Sequence, residues 1–198
     1  MRTAFIFDTE TTGLPDWKKP SGDDVQPHLV QLGALLVDLD KQEIIKMLDV
    51  IIKPDGWEIP QEVSDIHGIT TEEAMKHGIP ESEALMMLLD LWDGAKRVCY
   101  NRTFDKRIIR IATKRYCSEE VIEAWADKDN FDCAMMMAKP IVKATNGFKA
   151  DGSPKIKNPK LAEAYEYFMG EALENAHNAL VDATACMDIY FKMLDGAK

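Results

Sequence analysis

The sequence predicts an α/β protein in which helices pack on a mixed sheet. Three observations lead there. Apolar, strand-like runs come first, at residues 3–8, 28–39 and 43–53. The last two are joined by Asp38-Leu39-Asp40-Lys41-Gln42, a hairpin-length connection that makes them antiparallel neighbours. From residue 70 onward helical periods alternate with a short strand, which adds helices to the faces of that sheet.

Taken in order, TAFIFD at residues 3–8 is the first strand, HLVQLGALLVDL from His28 the second and EIIKMLDVIIK from Glu43 the third. Residues 70–75 and 81–92 read as helices, with Pro80 near the start of the second. RVCY at 97–100 is a short strand. Helical periods follow at 103–116, 119–126, 160–169 and 178–194. Residues 139–160 hold three prolines, two glycines and no period, so they are expected to form a flap or an unstructured loop. With no internal repeat, residues 1–198 are expected to form one domain.

No apolar run reaches the ~18 residues of a membrane helix, and residues 1–8 lack the pattern of a signal peptide. A cytoplasmic location and no membrane partner are therefore expected. Cys99, Cys117, Cys133 and Cys186 form no C-x-x-C pair, which points to reduced, mostly buried thiols. The net charge of −10 argues against a polyanionic partner, but its distribution does not. Residues 102–115 and 139–160 each carry +5, leaving −20 on the rest. Two basic patches on an acidic body can guide nucleic acid or can simply be solvated.

Three groups of carboxylates break the patterns around them. Alternation along the first strand puts Ala4, Ile6, Asp8 and Glu10 on one face, with the two acids ~6–7 Å apart. Carboxylates so placed repel unless a cation lies between them, and an oxygen-rich set suits Mg2+ or Mn2+. In the last helix, Thr184, Asp188, Lys192 and Asp195 form a polar stripe, whereas Asp182 aligns with Ala185, Cys186, Ile189 and Met193. In the helix from residue 103, Lys106, Arg110 and Lys114 face outward, whereas Asp105 aligns with Ile108, Ile109 and Ala112. A buried charge requires a partner, so three segments aiming acids inward can build one all-carboxylate metal site. His177 is out of phase with Asp182 on a helix and is expected in the loop before it. A histidine there can accept a proton at neutral pH.

These residues resemble the DEDD exonucleases, in the branch whose last motif carries histidine (DEDDh, DnaQ-like). FDTETTG resembles the first motif, with Asp8 and Glu10. NRTFD at 101–105 resembles the second, with Asp105, and HNALVDA at 177–183 the third, with His177 and Asp182. IPQEVSDIHGIT from Ile59 resembles the segment lining the terminal nucleotide, and VQLGALLVD from Val30 the second strand. The second motif often begins His-Asn where this chain has Tyr100-Asn101, a change beside the ligand and not of it.

The resemblance implies a ribonuclease H-like fold with a central mixed five-stranded sheet flanked by helices. It implies 3′-to-5′ hydrolysis of nucleic acid with two divalent ions, Mg2+ or Mn2+, on the scissile phosphate. Asp8 would bridge the ions, Glu10, Asp105 and Asp182 would complete their shells, and His177 would be the general base. Thr11, Thr12, Leu14, Ile66, His67 and Asn101 would bind substrate, although His67 equally suits a turn. Single-stranded 3′ ends are the expected partner, with DNA favoured over RNA and RNA trimming the alternative within the family. A polymerase or replication partner is a further possibility, and proofreading and DNA repair are candidate roles. Two other classes compete. A haloacid-dehalogenase-type phosphatase also starts with a strand and paired acids, but Glu10 and H-x4-D fit it poorly. A binding or scaffold module without metals would not need all five site positions filled.

Overall fold

The computed structural model describes residues 2–127 and 129–196. Its sheet is built on β1 (Thr3–Thr11), which lies between β2 (Leu29–Asp38) and β5 (Lys96–Cys99). β3 (Glu43–Lys53) continues beyond β2, and β6 (Phe131–Cys133) beyond β5. β1, β2 and β3 are antiparallel neighbours, whereas β5 and β6 run parallel to β1. The sheet is therefore mixed, as expected, but it has six strands and not five. The sixth, β4 (Ile79–Pro80), is a two-residue edge strand on β3. Strands of two and three residues show no alternation to read, and Pro80 fits an edge because no further strand needs its N–H.

Alternation along β1 splits the core into two layers. Phe5 and Phe7 pack with α3 (Glu81–Trp92) and α4 (Arg102–Tyr116), through Leu85, Leu88, Ile108 and Ile109. Ala4 and Ile6 pack on the other face with α6 (Ala134–Val142), α7 (Leu161–Met169) and α8 (Ala179–Gly196), through Ala138, Ala164, Cys186 and Ile189. The short helices α1 (Gln61–His67) and α2 (Thr71–His77) follow β3, and α5 (Glu119–Ala126) follows α4. No described helix is long and apolar enough to cross a membrane. All four cysteines are free, and Cys99, Cys133 and Cys186 are buried.

Residues 139–160, expected to form a flap or an unstructured loop, hold the end of a helix and a hairpin. Residues 139–142 complete α6, because Pro140 falls near its C-terminal end, where a missing N–H removes only one helical hydrogen bond. β7 (Thr145–Phe148) and β8 (Pro154–Ile156) then pair as an exposed antiparallel hairpin. The Tyr100 hydroxyl, just past β5, reaches the Pro159 and Lys160 carbonyls at 3.0 Å each and fixes the chain where it leaves the hairpin for α7.

Gly33 sets how closely α8 approaches β2. A Cβ at this position would lie 2.2 Å from the Ala179 carbonyl carbon and 2.3 Å from the Leu180 nitrogen. Those are backbone atoms and cannot rotate away. Gly33→Ala is therefore expected to destabilise the protein by about 1–3 kcal/mol, as overpacking does. The melting temperature should fall by several degrees, and an unchanged melting curve would contradict the contact.

Candidate active site

The site forms where β1 ends and the two helical layers meet. Asp8 and Glu10 project toward the α8 side of the sheet and are half-buried. Asp105 belongs to the opposite layer, in the first turn of α4, and is 2% exposed. It reaches around the end of the strand, and the Thr9 hydroxyl donates to its Oδ1 at 3.0 Å. The Asn101 carbonyl accepts from the Phe104 and Asp105 N–H groups and seats that turn.

α8 brings the rest. The Asn178 side chain caps it, with Oδ1 accepting from the Leu180 and Val181 N–H groups at 3.1 and 3.2 Å. Gln31, which pairs with Glu10 across β1 and β2, accepts from the Ala179 N–H at 3.0 Å and donates to Asp49. The helix start is thus tied to the strand beside Glu10. Asp182 follows one turn later, 8% exposed, and one of its carboxylate oxygens, Oδ1, is buried with no partner among the described residues. The other accepts from the His177 N–H at 3.3 Å. His177 lies before the helix, as expected, exposed and in the left-handed region at φ 68°. Glu10, His177 and Asp182 each offer a ligand atom, and these lie within 4.8 Å of one another.

The electrostatics follow from that convergence. Burial raises the Asp8 carboxyl well above its usual range, and repulsion from Asp105, Asp182 and Glu10 raises it further. Burial, with repulsion from Asp182 and Asp105, pushes Glu10 up to about 8. Asp105 is pushed up to about 7, chiefly by burial, against the Thr9 hydrogen bond that favours its charge. Burial raises Asp182 as well, against the His177 hydrogen bond and charge. Among the described residues, no lysine or arginine forms an ion pair with any of the four. Four converging carboxylates with an orphaned oxygen fit hard divalent cations, for which oxygen donors are the natural set. His177 is close enough to belong to that set or to stand beside it.

A pH prediction follows. Acids whose pKa is raised in the fold bind protons there that the unfolded chain has already released. The metal-free protein should therefore lose stability as pH rises from about 4.5 to about 8. Melting in EDTA should occur at a lower temperature at pH 8 than at pH 5.5, and Mg2+ or Mn2+ should reverse the difference. At 100-fold excess over Kd, one bound ion adds about 2.7 kcal/mol. A melting temperature indifferent to both pH and metal would contradict the cluster.

The expected substrate residues are distributed as follows. The Thr11 hydroxyl donates to the Gly13 carbonyl at 2.8 Å, and the Thr12 hydroxyl accepts from the His28 N–H at 3.0 Å. Both therefore hold the turn after β1. Leu14 and Ile66 are 81% and 57% exposed, large apolar side chains turned to solvent. His67 is half-buried at the end of α1, where its Nδ1 accepts from the Ile69 N–H at 3.1 Å. It also serves a turn, but burial and the His177 charge depress its pKa, so it lies beside the site. Asn101 is exposed at the start of α4 and makes no side-chain cap there. Thr9, Gln31 and Asn178 are the residues that sequence reasoning missed. The available signal was a glutamine inside the apolar run VQLGALLV.

Residues 5–190 match the family model RNase_T, described as an exonuclease. No curated protein matches the chain. Among solved structures, E. coli exonuclease I in complex with a dT13 oligonucleotide is 22% identical, with a TM-score of 0.68 over 96% of this chain and 40% of that one. Exonuclease I from Methylocaldum szegediense, described as moderately thermophilic, is 20% identical, with a TM-score of 0.72 over 98% and 41%. The zinc-bound form of the E. coli exonuclease I–ssDNA complex is 20% identical, with a TM-score of 0.70 over 100% and 41%. The likeness at these identities is one of fold, and this chain spans about two-fifths of the length of those proteins.

Proposed function

Because this chain belongs to the RNase_T exonuclease family, we propose that it hydrolyses phosphodiester bonds one nucleotide at a time from the 3′ end of single-stranded nucleic acid, DNA in preference to RNA. The observation that carries this reading is the convergence of Asp8, Glu10, Asp105 and Asp182 with His177 at the end of β1. The four carboxylates would hold two divalent ions, Mg2+ or Mn2+. When bound, such ions polarise the phosphate and make water a better nucleophile at neutral pH.

The chain's own residues do the rest. His177 stands exposed at the mouth of the cluster, where an imidazole nitrogen takes the proton of the attacking water. The left-handed backbone at His177 points its N–H at Asp182, so base and ligand are positioned together. The turn through Thr11 and Thr12 presents the 3′ end, while Leu14 and Ile66 offer apolar surface to the terminal base. The neighbouring exonuclease I structures hold dT13 and dA16 oligonucleotides, which supports DNA over RNA.

End-labelled oligonucleotides test the polarity. With Mg2+ or Mn2+, 5′-labelled single-stranded DNA should give a ladder of progressively shorter products. The same strand labelled at its 3′ end should lose its label as mononucleotide from the first time points. Release of the 5′ label as mononucleotide, or equal cutting of a circular strand, would overturn the reading. RNA of the same sequence, run in parallel, reads the sugar preference.

A further inference from the structure

Outside the carboxylate cluster, the outer face of α4 carries a hollow of about 380 Å³ lined by Trp17, Arg102, Thr103, Lys106, Arg107 and Arg110. Trp17 is 55% exposed on the loop after β1, three residues beyond Leu14. The Arg107 guanidinium lies 6.0 Å from its ring centroid. Three of the four cations are held by backbone carbonyls: Arg102 donates to Phe131 at 2.6 Å, Lys106 to Ala126 at 2.9 Å and Arg107 to Lys19 at 2.5 Å. A carbonyl orients a guanidinium without neutralising it. Arg102, Arg107 and Arg110 form no ion pair among the described residues. Burial raises the cost of the Arg107 charge and repulsion from Arg110 adds to it, against attraction from Asp16. On a chain of net charge −10, three arginines and a lysine gathered beside a half-exposed indole form a basic hollow with an aromatic wall, which suits a phosphate and a stacked base.

Its position relates it to the carboxylates. Thr103 and Arg107 are each two residues from Asp105, about 200° away around α4, so the hollow lies across the helix from the buried acid. A strand that runs from the acids to the hollow therefore passes around the ~10 Å helix.

We propose that this hollow is a second nucleotide subsite, which stacks a base of the single strand on Trp17 and holds a backbone phosphate between Arg107 and Arg110, upstream of the 3′ end. It rests on the nucleic-acid reading above and adds to it a grip on the strand beyond the cleaved bond.

The test separates binding from hydrolysis. Anisotropy of 5′-fluorescein-labelled (dT)12 in EDTA reads binding without cleavage, and hydrolysis of the p-nitrophenyl ester of thymidine 5′-phosphate with Mn2+ reads the chemistry alone. Trp17→Ala should weaken (dT)12 binding about 5- to 150-fold, the range for loss of one stacked base, and Trp17→Phe should recover most of it. Arg110→Gln should weaken binding and lower the log–log salt slope by about 0.7, one phosphate contact. Both variants should hydrolyse the ester at the wild-type rate. Binding of (dT)12 by both variants within twofold of wild type would overturn the subsite, as would wild-type protein that does not bind (dT)12. If the variants weaken binding while wild-type protein cleaves neither substrate, the subsite stands and the nuclease reading falls.

Discussion

Asp8→Asn should lower turnover on single-stranded DNA by about four orders of magnitude or more, which is about 5.5 kcal/mol of transition-state stabilisation. The same substitution should raise the melting temperature of the metal-free protein. Asp8 suffers repulsion from Asp105, Asp182 and Glu10 together, on top of its own burial. A neutral amide of nearly the same shape relieves both, most strongly near pH 8, where the remaining acids are most charged. Without Asp8, the rise in melting temperature on adding Mg2+ or Mn2+ should shrink. Opposite signs for activity and metal-free stability are the signature of a residue kept for its charge. A variant that loses activity because it folds badly would show a fall in both. Wild-type activity in Asp8→Asn would remove the carboxylate mechanism altogether.

His177→Gln should lower turnover by ~10²–10⁴-fold, the usual contribution of a positioned general base. The substitution also decides what the imidazole does, because its ligand atom lies within 4.8 Å of those of Glu10 and Asp182. A base can be lost without loss of metal, so the stabilisation by Mg2+ or Mn2+ should persist in the variant while the rate falls. If the metal-dependent shift in melting temperature disappears with the rate, His177 is a ligand and not the base. Among the described residues the exposed histidine makes no side-chain hydrogen bond, so the metal-free melting temperature should change little.

Most of the sheet and all five clustered residues were legible in the sequence because each rests on a local rule. β3, α3 and α5 fall at the predicted residues, since long alternation and amphipathic periods survive tertiary context. Asp105 and Asp182 stood out as charges on apolar faces, and both are buried. What stayed hidden depends on partners distant in sequence or on elements too short to show a period. α1 is two turns long, between Pro60 and Gly68 in the left-handed region, too short to show a helical period. α6 was masked by Pro140, and the β7–β8 hairpin by prolines and glycines that belong to its turn and edges. The role of Thr9 depends on a helix in the opposite layer, which no pattern along β1 encodes. Gln31 acts on α8, and only three-dimensional closure brings the two together.

That closure has a consequence for when the protein becomes active. The Thr9–Asp105 hydrogen bond spans 96 residues, and the one from Ala179 to Gln31 spans 148. Contacts so distant along the chain form late, because the loops between them must be ordered first. In the order of synthesis the acids of β1 precede the helix that carries Asp182 by most of the domain. Until that helix docks on Gly33, two of the five site residues are missing from the cluster. A growing chain therefore exposes its acidic strand long before it has a complete site. The proposed nuclease is silent toward surrounding nucleic acid until α8 closes on the first half of the sheet.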